Sequence, residues 1–272
     1  MSRRKYTLQD GKWEVWNRHS RRTRLARFAA LLVVVVAAGF AYQELDVRYE
    51  WVVMAPREIN DLLTRMYPPN YGYTGEIVGP MIETINIAIL GTGFSALLSI
   101  PVAYAAARNT APNRLVYGVG RMIITVTRSV STIIWALIFV ALFGPGALAG
   151  VFAVAIRSVG FIGKLLAEAI EEIDEGQVDA LTAAGATGPQ RLIYGIAPQV
   201  MPIFVGVSTH RWDINIRSST VLGFVGAGGI GLELVARMDR LQWQSVSMIL
   251  VAILITVVVS ELVSAKLRSQ VS

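Results

Sequence analysis

The sequence predicts an all-α, polytopic membrane protein with about six transmembrane helices, and three observations predict it. Of 272 residues, 54% are hydrophobic and only 16% are charged, whereas soluble domains carry about a quarter charged residues. The apolar residues gather into six long blocks separated by polar connections, which is the pattern of helices that cross a bilayer. The basic residues cluster at the ends of those blocks, so the net charge of +6 reads as membrane topology rather than as a nucleic-acid surface. The absence of cysteine excludes disulfides, thiolate metal sites and cysteine nucleophiles. His19 and His210 alone do not make a histidine metal centre.

In chain order, residues 1–27 form a basic lead in which Arg3, Arg4, Lys5, Lys12, Arg18, Arg21, Arg22, Arg24 and Arg27 face only Asp10 and Glu14. The first apolar block, 28–42, is short against the roughly 20 residues a span needs. A basic lead before a short apolar run also fits a signal peptide, but the long lead and the need for an orienting first helix favour a span. Residues 43–80 mix acids with Arg48, Arg57 and Arg65, and Pro68, Pro69 and Gly72 mark irregular chain. The stretch 28–80 is therefore read as the first span plus an extracytoplasmic segment. Further apolar blocks run over 81–107, 122–143, 148–167, 192–209 and 246–265, with a tight turn at Gly144-Pro145-Gly146. The basic lead places the N-terminus in the cytoplasm, and six spans return the C-terminus there. The connections 108–121 and 168–191 then lie inside, and 43–80, 143–147 and 210–245 outside. Arg211, Arg217, Arg237 and Arg240 run against the charge rule in the outer segment, and attraction of an anion gives them a reason. No internal repeat is evident, which weighs against a carrier built from duplicated halves.

Three features between and within the blocks carry mechanism. Residues 177–184 are mostly small, with Asp179 near the start, where an acid suits the helix dipole. Gly185 can end such a helix and Gly188-Pro189 prevents its continuation. A short helix with small side chains admits the groove of another protein; an ordinary surface loop is the alternative. Arg157 lies in the middle of the fourth block, between Ile156 and Ser158. A charge there faces a bundle interior or a water cavity, unless it snorkels or the span is shifted. Arg128 lies nearer a block end. Gly226-Ala227-Gly228-Gly229-Ile230-Gly231 satisfies the dinucleotide pattern G-x-G-x-x-G. Too little chain follows for the second strand of that motif, so these glycines are read as letting a re-entrant segment pack closely near a pore.

Asp179, Ala180, Leu181 and Gly185, followed after nine residues by Gly195, Ala197 and Pro198, resemble the coupling motif of ABC-importer permeases (Glu-Ala-Ala, three residues, Gly, nine residues, Ile-x-Leu-Pro), with its second half weakly kept. The run Asp213-Ile214-Asn215-Ile216-Arg217 through Gly231-Leu232-Glu233-Leu234 resembles the final-loop signature of phosphonate ABC-importer permeases. Gly163 to Asp174 and Leu192 to Val200 are similar to that family too. The resemblance covers about 81–267 and departs from the family at Ser129-Val130-Ser131, where a Pro-Glu-Leu type of sequence is usual. It implies a homodimeric type I importer permease fold over 81–267, with a coupling loop at 168–191 and a re-entrant loop at 211–245, in the cell (plasma or inner) membrane.

Docking of an ATPase would fall to Asp179, Ala180, Ala183, Ala184, Gly185 and Pro198, and a path or gate to Arg128, Arg157, Asn215, Arg217, Gly226, Gly228, Gly229 and Gly231. Implied partners are a second copy of the chain, two ATPase subunits at the cytoplasmic face, an extracytoplasmic substrate-binding protein and lipid, with no nucleic acid. The chain itself contains no Gly-x-x-x-x-Gly-Lys-[Ser/Thr], so ATP and Mg2+ belong to the partner ATPase and no catalytic residue, cofactor or metal to this chain. The implied cargo is a phosphonate or a related phosphorus oxyanion such as phosphite or a phosphate ester. A permease for another small anion stays open, as does an ATP-independent carrier, although only Glu83 and Glu261 lie near the spans. A membrane-embedded enzyme would need paired acid, base or metal-ligand groups, which the sequence does not offer.

Overall fold

A computed structural model describes residues 6–9, 12–15, 21–45 and 48–271. Of the basic lead, Arg3, Arg4, Lys5, Asp10 and Arg18 lie outside the described residues. The chain forms two units, Met1–Asp61 and Leu62–Ser272.

In the first unit β1 (Tyr6–Gln9) and β2 (Lys12–Val15) make an antiparallel hairpin, the one exception to the all-helical expectation among the described residues. Helix α1 covers Arg21–Glu44. Its 24 residues reach about 36 Å at 1.5 Å per residue, enough for a bilayer core of about 30 Å. The apolar block looked short because its basic approach is part of the same helix. No residue of its span, Arg22–Glu44, is buried, so its apolar surface is exposed. Helix α2, Tyr49–Met66, occupies part of the mixed stretch 43–80, for which no helix was expected. Trp51, Ala55, Ile59, Leu62 and Met66 recur at helical spacing on one side, a pattern that the charges between them obscure.

The second unit is built on α3 (Thr74–Ala106) and α6 (Ala147–Glu171), its most extensive helix pair. Small residues let the helices meet closely, as membrane interfaces require. A Cβ on Gly91 would lie 2.5 Å from Cγ1 of Val154, and one on Gly160 would overlap the hydroxyl of Thr127. Between these helices stand α4 (Arg114–Ser129) and α5 (Thr132–Phe143), bent from each other by 93°. The block 122–143 is thus a broken element rather than one straight span. Val130 is extended and Ser131 caps α5, its hydroxyl accepting from the N–H of Ile134. Gly144 and Gly146 take positive φ angles of 84° and 140° in the turn that leads to α6.

After α6 come α7 (Glu175–Ala183) and the single turn α8 (Gly188–Arg191), then a π turn over Leu192–Ile196 and α9, Ala197–Leu222. Helix α9 overruns its apolar block by more than three turns, so the stretch expected to be irregular from 211 is helical to Leu222. A 3-10 turn at Gly223–Val225, α10 (Ile230–Asp239) and α11 (Trp243–Val271) complete the chain. Five helices are long and apolar enough to cross a membrane, or six if the bent pair counts as one, among the described residues.

Candidate functional site

The 172–191 connection folds into the short helix its composition predicts. The carboxylate of Asp174 caps α7 by accepting from the N–H of Gly176 at 2.9 Å. Gly185, with φ +84°, terminates it. The N–H of Ala186 bonds the carbonyl of Leu181 and that of Gly185 the carbonyl of Thr182, both at 3.0 Å, the paired closure of a glycine C-cap. Asp179, Ala180, Ala183, Ala184 and Gly185 are all exposed. Pro198 is exposed as well, but it belongs to the first turn of α9, beyond the π turn.

The glycines from 226 to 231 form a sharp turn between α9 and α10. Gly226, Gly228 and Gly229 have φ angles of 80°, 80° and 77°, which side chains other than glycine's rarely adopt. The turn is seated between α3 and the start of α6. A Cβ on Gly228 would come within 2.6 Å of Oε1 of Glu83 and 2.8 Å of the nitrogen of Ala147. On Gly231 it would overlap the carbonyl of Thr220. The N–H of Ile230 donates to the hydroxyl of Thr84 at 2.7 Å, and the N–H of Gly146 to the carbonyl of Gly226 at 2.9 Å. Val221 to Val225 are helical, so no strand precedes the glycines.

Helix α10 is locked to the start of α3 by polar contacts. Arg237 pairs with Glu233 at 2.8 Å and with Glu76 at 3.1 Å, and its guanidinium lies 4.5 Å from the ring centroid of Tyr73. The hydroxyl of Tyr73 donates to Glu233. That hydrogen bond, followed by those from Arg237, holds the carboxyl of Glu233 below its ordinary range.

The charged centre lies where α4, α6 and α9 meet. Arg157 donates to the main-chain carbonyl of Arg128. That carbonyl falls in the last turn of α4, whose acceptors have no helical partner, so the break at Val130 exposes the group that Arg157 satisfies. Arg211, read from sequence as part of an outer segment, instead lies within α9 and is only 7% exposed. Its Nε donates to the hydroxyl of Ser158 at 2.9 Å, and its guanidinium lies 5.1 Å from the ring centroid of Phe161. Asn215 is buried beside it, with Nδ2 3.0 Å from the hydroxyl of Ser158 and 2.9 Å from that of Thr92. Arg217 is engaged differently, in an ion pair with the buried Asp213, which also accepts from Ser260 at 3.0 Å. Among the described residues no carboxylate forms an ion pair with Arg128, Arg157 or Arg211.

The structure therefore joins Asn215 to Arg211, Ser158 and Thr92, sets Arg157, next to Ser158 on α6, against the main-chain carbonyl of Arg128, whose own side chain is exposed, and leaves Arg217 to a neighbouring ion pair. The glycine turn is separate from this centre. Gly150, whose Cβ position lies 2.5 Å from the carbonyl of Ala227, is seven residues from Arg157 on α6, about 10 Å along the axis. Ser158 and Thr92 carried no signal in the sequence, because hydroxyl residues in apolar helices usually bond their own backbone.

Residues 99–268 match the family described as the binding-protein-dependent transport system inner membrane component. The chain belongs to this family. It is an inner-membrane, multi-pass permease component of an ABC transporter, and such subunits have no ATPase activity of their own. A transport system of this kind works with an ATPase and a binding protein. The phosphite transport system permease protein PtxC of Stutzerimonas stutzeri is 46% identical over 201 residues, 74% of this chain and 73% of that one. The putative phosphite transport system permease protein HtxC of the same organism is 36% identical over 245 residues, 90% and 87% of the two chains. The phosphate-import permease protein PhnE of Mycolicibacterium smegmatis is 36% identical over 254 residues, 92% of this chain and 47% of that one. Among solved structures, the MetNI methionine ABC transporter superposes with a TM-score of 0.65 at 22% identity, over 75% of this chain and 99% of that one. The fold is thus like that of type I ABC importer permeases.

Proposed function

We propose that this permease imports phosphite, a phosphonate or a related phosphorus oxyanion such as a phosphate ester. The observation that carries this reading is the cationic centre of the buried Arg211 and the half-buried Arg157, which no carboxylate neutralises among the described residues. A charge inside a membrane is costly and is kept where it serves a pathway. Hydroxyl and amide groups of Ser158, Thr92 and Asn215 beside it suit an oxyanion that sheds water. The named cargo of the phosphite relatives agrees with that chemistry.

The working assembly in this reading is two copies of the chain, two ATPase subunits on the cytoplasmic side and a delivery protein outside, with both chain termini cytoplasmic. Helix α7, presenting Asp179, Ala180, Ala183, Ala184 and Gly185, is the ATPase docking element, with Pro198 behind it. The turn at Gly226, Gly228, Gly229 and Gly231 forms an outer gate, and Arg217 lies beside the path held by Asp213. ATP and Mg2+ act in the partner, and closure of the ATPase pair shifts the permease between its two states by differential contact.

Two substitutions test the proposal. Arg157→Ala lowers phosphite, phosphonate or phosphate uptake while the ATPase still copurifies; unchanged uptake kinetics would remove Arg157 from the path. Gly185→Arg blocks the docking face and separates the chain from its ATPase; retention of both the ATPase and uptake would reject the docking role.

A further inference from the structure

The side-chain amide of Gln199, on the first turn of α9, is used at both ends. Its Oε1 accepts from the main-chain N–H of Asp174 at 2.9 Å. Its Nε2 donates to the carbonyl of Gly195 at 2.8 Å and to that of Asp174 at 3.4 Å. Asp174 is the residue that caps α7. One side chain thus holds the start of α7 by its main chain, across 25 residues of sequence. A second contact supports the same junction: a Cβ on Gly195 would lie 3.0 Å from Cδ1 of Leu181 and 3.3 Å from Cγ2 of Val178. The inner side of α7 therefore rests directly on the π turn.

The backbone beneath this clamp is soft. Pro198 has no N–H for the carbonyl of Tyr194, and Pro202 has none for that of Pro198. The N–H of Ala197 bonds the carbonyl of Leu192 instead, in the wider π register. A helix start lacking two rungs bends readily. The covalent route from α7 to α9 also passes through Gly185 and Gly188. Neither that route nor the helix start is a stiff lever without the clamp.

We infer that Gln199 is a positioning residue that makes α7 and the start of α9 one mechanical body. A displacement of α7 then reaches the helix that carries Arg211 and Asn215 instead of being absorbed in the 184–198 connection. This rests on the reading of α7 as the ATPase docking element.

The test uses the reconstituted complex of permease, ATPase and delivery protein, with whichever of phosphite, methylphosphonate and phosphate the wild-type complex imports. Gln199→Met keeps the length of the side chain and removes its hydrogen bonds. The variant copurifies with the ATPase at the wild-type ratio and keeps the basal rate of ATP hydrolysis, while uptake per ATP falls about tenfold, the factor expected from loss of one to two net hydrogen bonds. Gln199→Glu keeps the acceptor for Asp174 but turns a carboxylate oxygen towards the carbonyls of Gly195 and Asp174, so it loses at least as much uptake per ATP as Gln199→Met. Unchanged uptake per ATP in Gln199→Met overturns the inference, as does wild-type uptake per ATP in Gln199→Glu. Loss of copurified ATPase in Gln199→Met also overturns it, since the side chain would then shape the docking surface rather than transmit its motion. If instead Gly185→Arg retains both the ATPase and uptake, the docking reading fails, whatever the Gln199 variants show.

Discussion

Gly150→Ala tests whether the glycine turn is seated on α6. The added Cβ would lie 2.5 Å from the carbonyl oxygen of Ala227 and 3.3 Å from both Cδ1 and Cγ2 of Ile87. Comfortable carbon contacts begin near 3.5 Å, so backbone must move by close to an ångström at the turn. A rotamer change cannot relieve a clash with a main-chain carbonyl. Overpacking of this kind costs about 1–3 kcal/mol, against a gain of up to about 1 kcal/mol from replacing glycine by alanine in a helix. The net loss is about 1–2 kcal/mol. In a unit of about 200 residues, that lowers the unfolding midpoint by roughly 2–8 °C. Gly206→Ala on α9 is the control, because no atom lies within 4 Å of its Cβ position; its midpoint stays level or rises slightly. Fluorescence-detected unfolding of the detergent-solubilised protein reads both. Equal midpoints for the two variants would show that the turn does not press on α6.

Three further outcomes follow from the polar contacts. Arg211→Met keeps an elongated side chain but removes the charge, so oxyanion uptake falls at least about tenfold, while the fold persists because a buried charge has been replaced by apolar volume; uptake at the wild-type rate would place Arg211 outside the path. Glu233 is held below its ordinary range, so it contributes stability that is fully present above the usual glutamate value of about 4.3 and is lost as pH falls through its lowered folded value. The difference in unfolding midpoint between wild type and Glu233→Gln is therefore constant from pH 8 to about pH 5 and shrinks below the usual value; a difference that grew on acidification would contradict this. Ser131→Ala removes the cap of α5 and lowers stability by about 0.5–2 kcal/mol, measured by the same unfolding assay; an unchanged midpoint would mean that Ser131 does not hold the break.

Elements with one dominant local signal were legible in the sequence. The apolar blocks placed five of the long helices, Gly144-Pro145-Gly146 placed a turn, and the small residues before Gly185 placed α7 and its end. The break between α4 and α5 was hidden because the largely polar run from Thr127 to Thr132 is flanked by apolar residues on both sides and reads as part of one block, whereas a helix break needs only an extended Val130 and a capping hydroxyl at Ser131. The upper part of α9 was hidden for the opposite reason. Arg211, Asp213, Asn215 and Arg217 read as a solvated connection until their partners are known. In the fold Arg211 meets Ser158, Asp213 meets Ser260 and Arg217, and Asn215 meets Thr92. Those pairings join residues 47 to 123 positions apart, beyond Arg217, which is one turn away. Local pattern carries no record of them.

That polar density also explains why α9 remains helical where its composition looks unfavourable. Inside a bilayer an unpaired backbone group costs more than it does in water, so a stretch rich in polar side chains still gains from the helical ladder. Its side chains then pair across to α3, α6 and α11. The same pairing satisfies Asp213 with two partners but leaves the guanidinium of Arg211 with one hydroxyl and a ring face. Asp213 is matched by two partners and Arg211 only by neutral groups, and on that asymmetry rests the proposed affinity of this part of α9 for an anion.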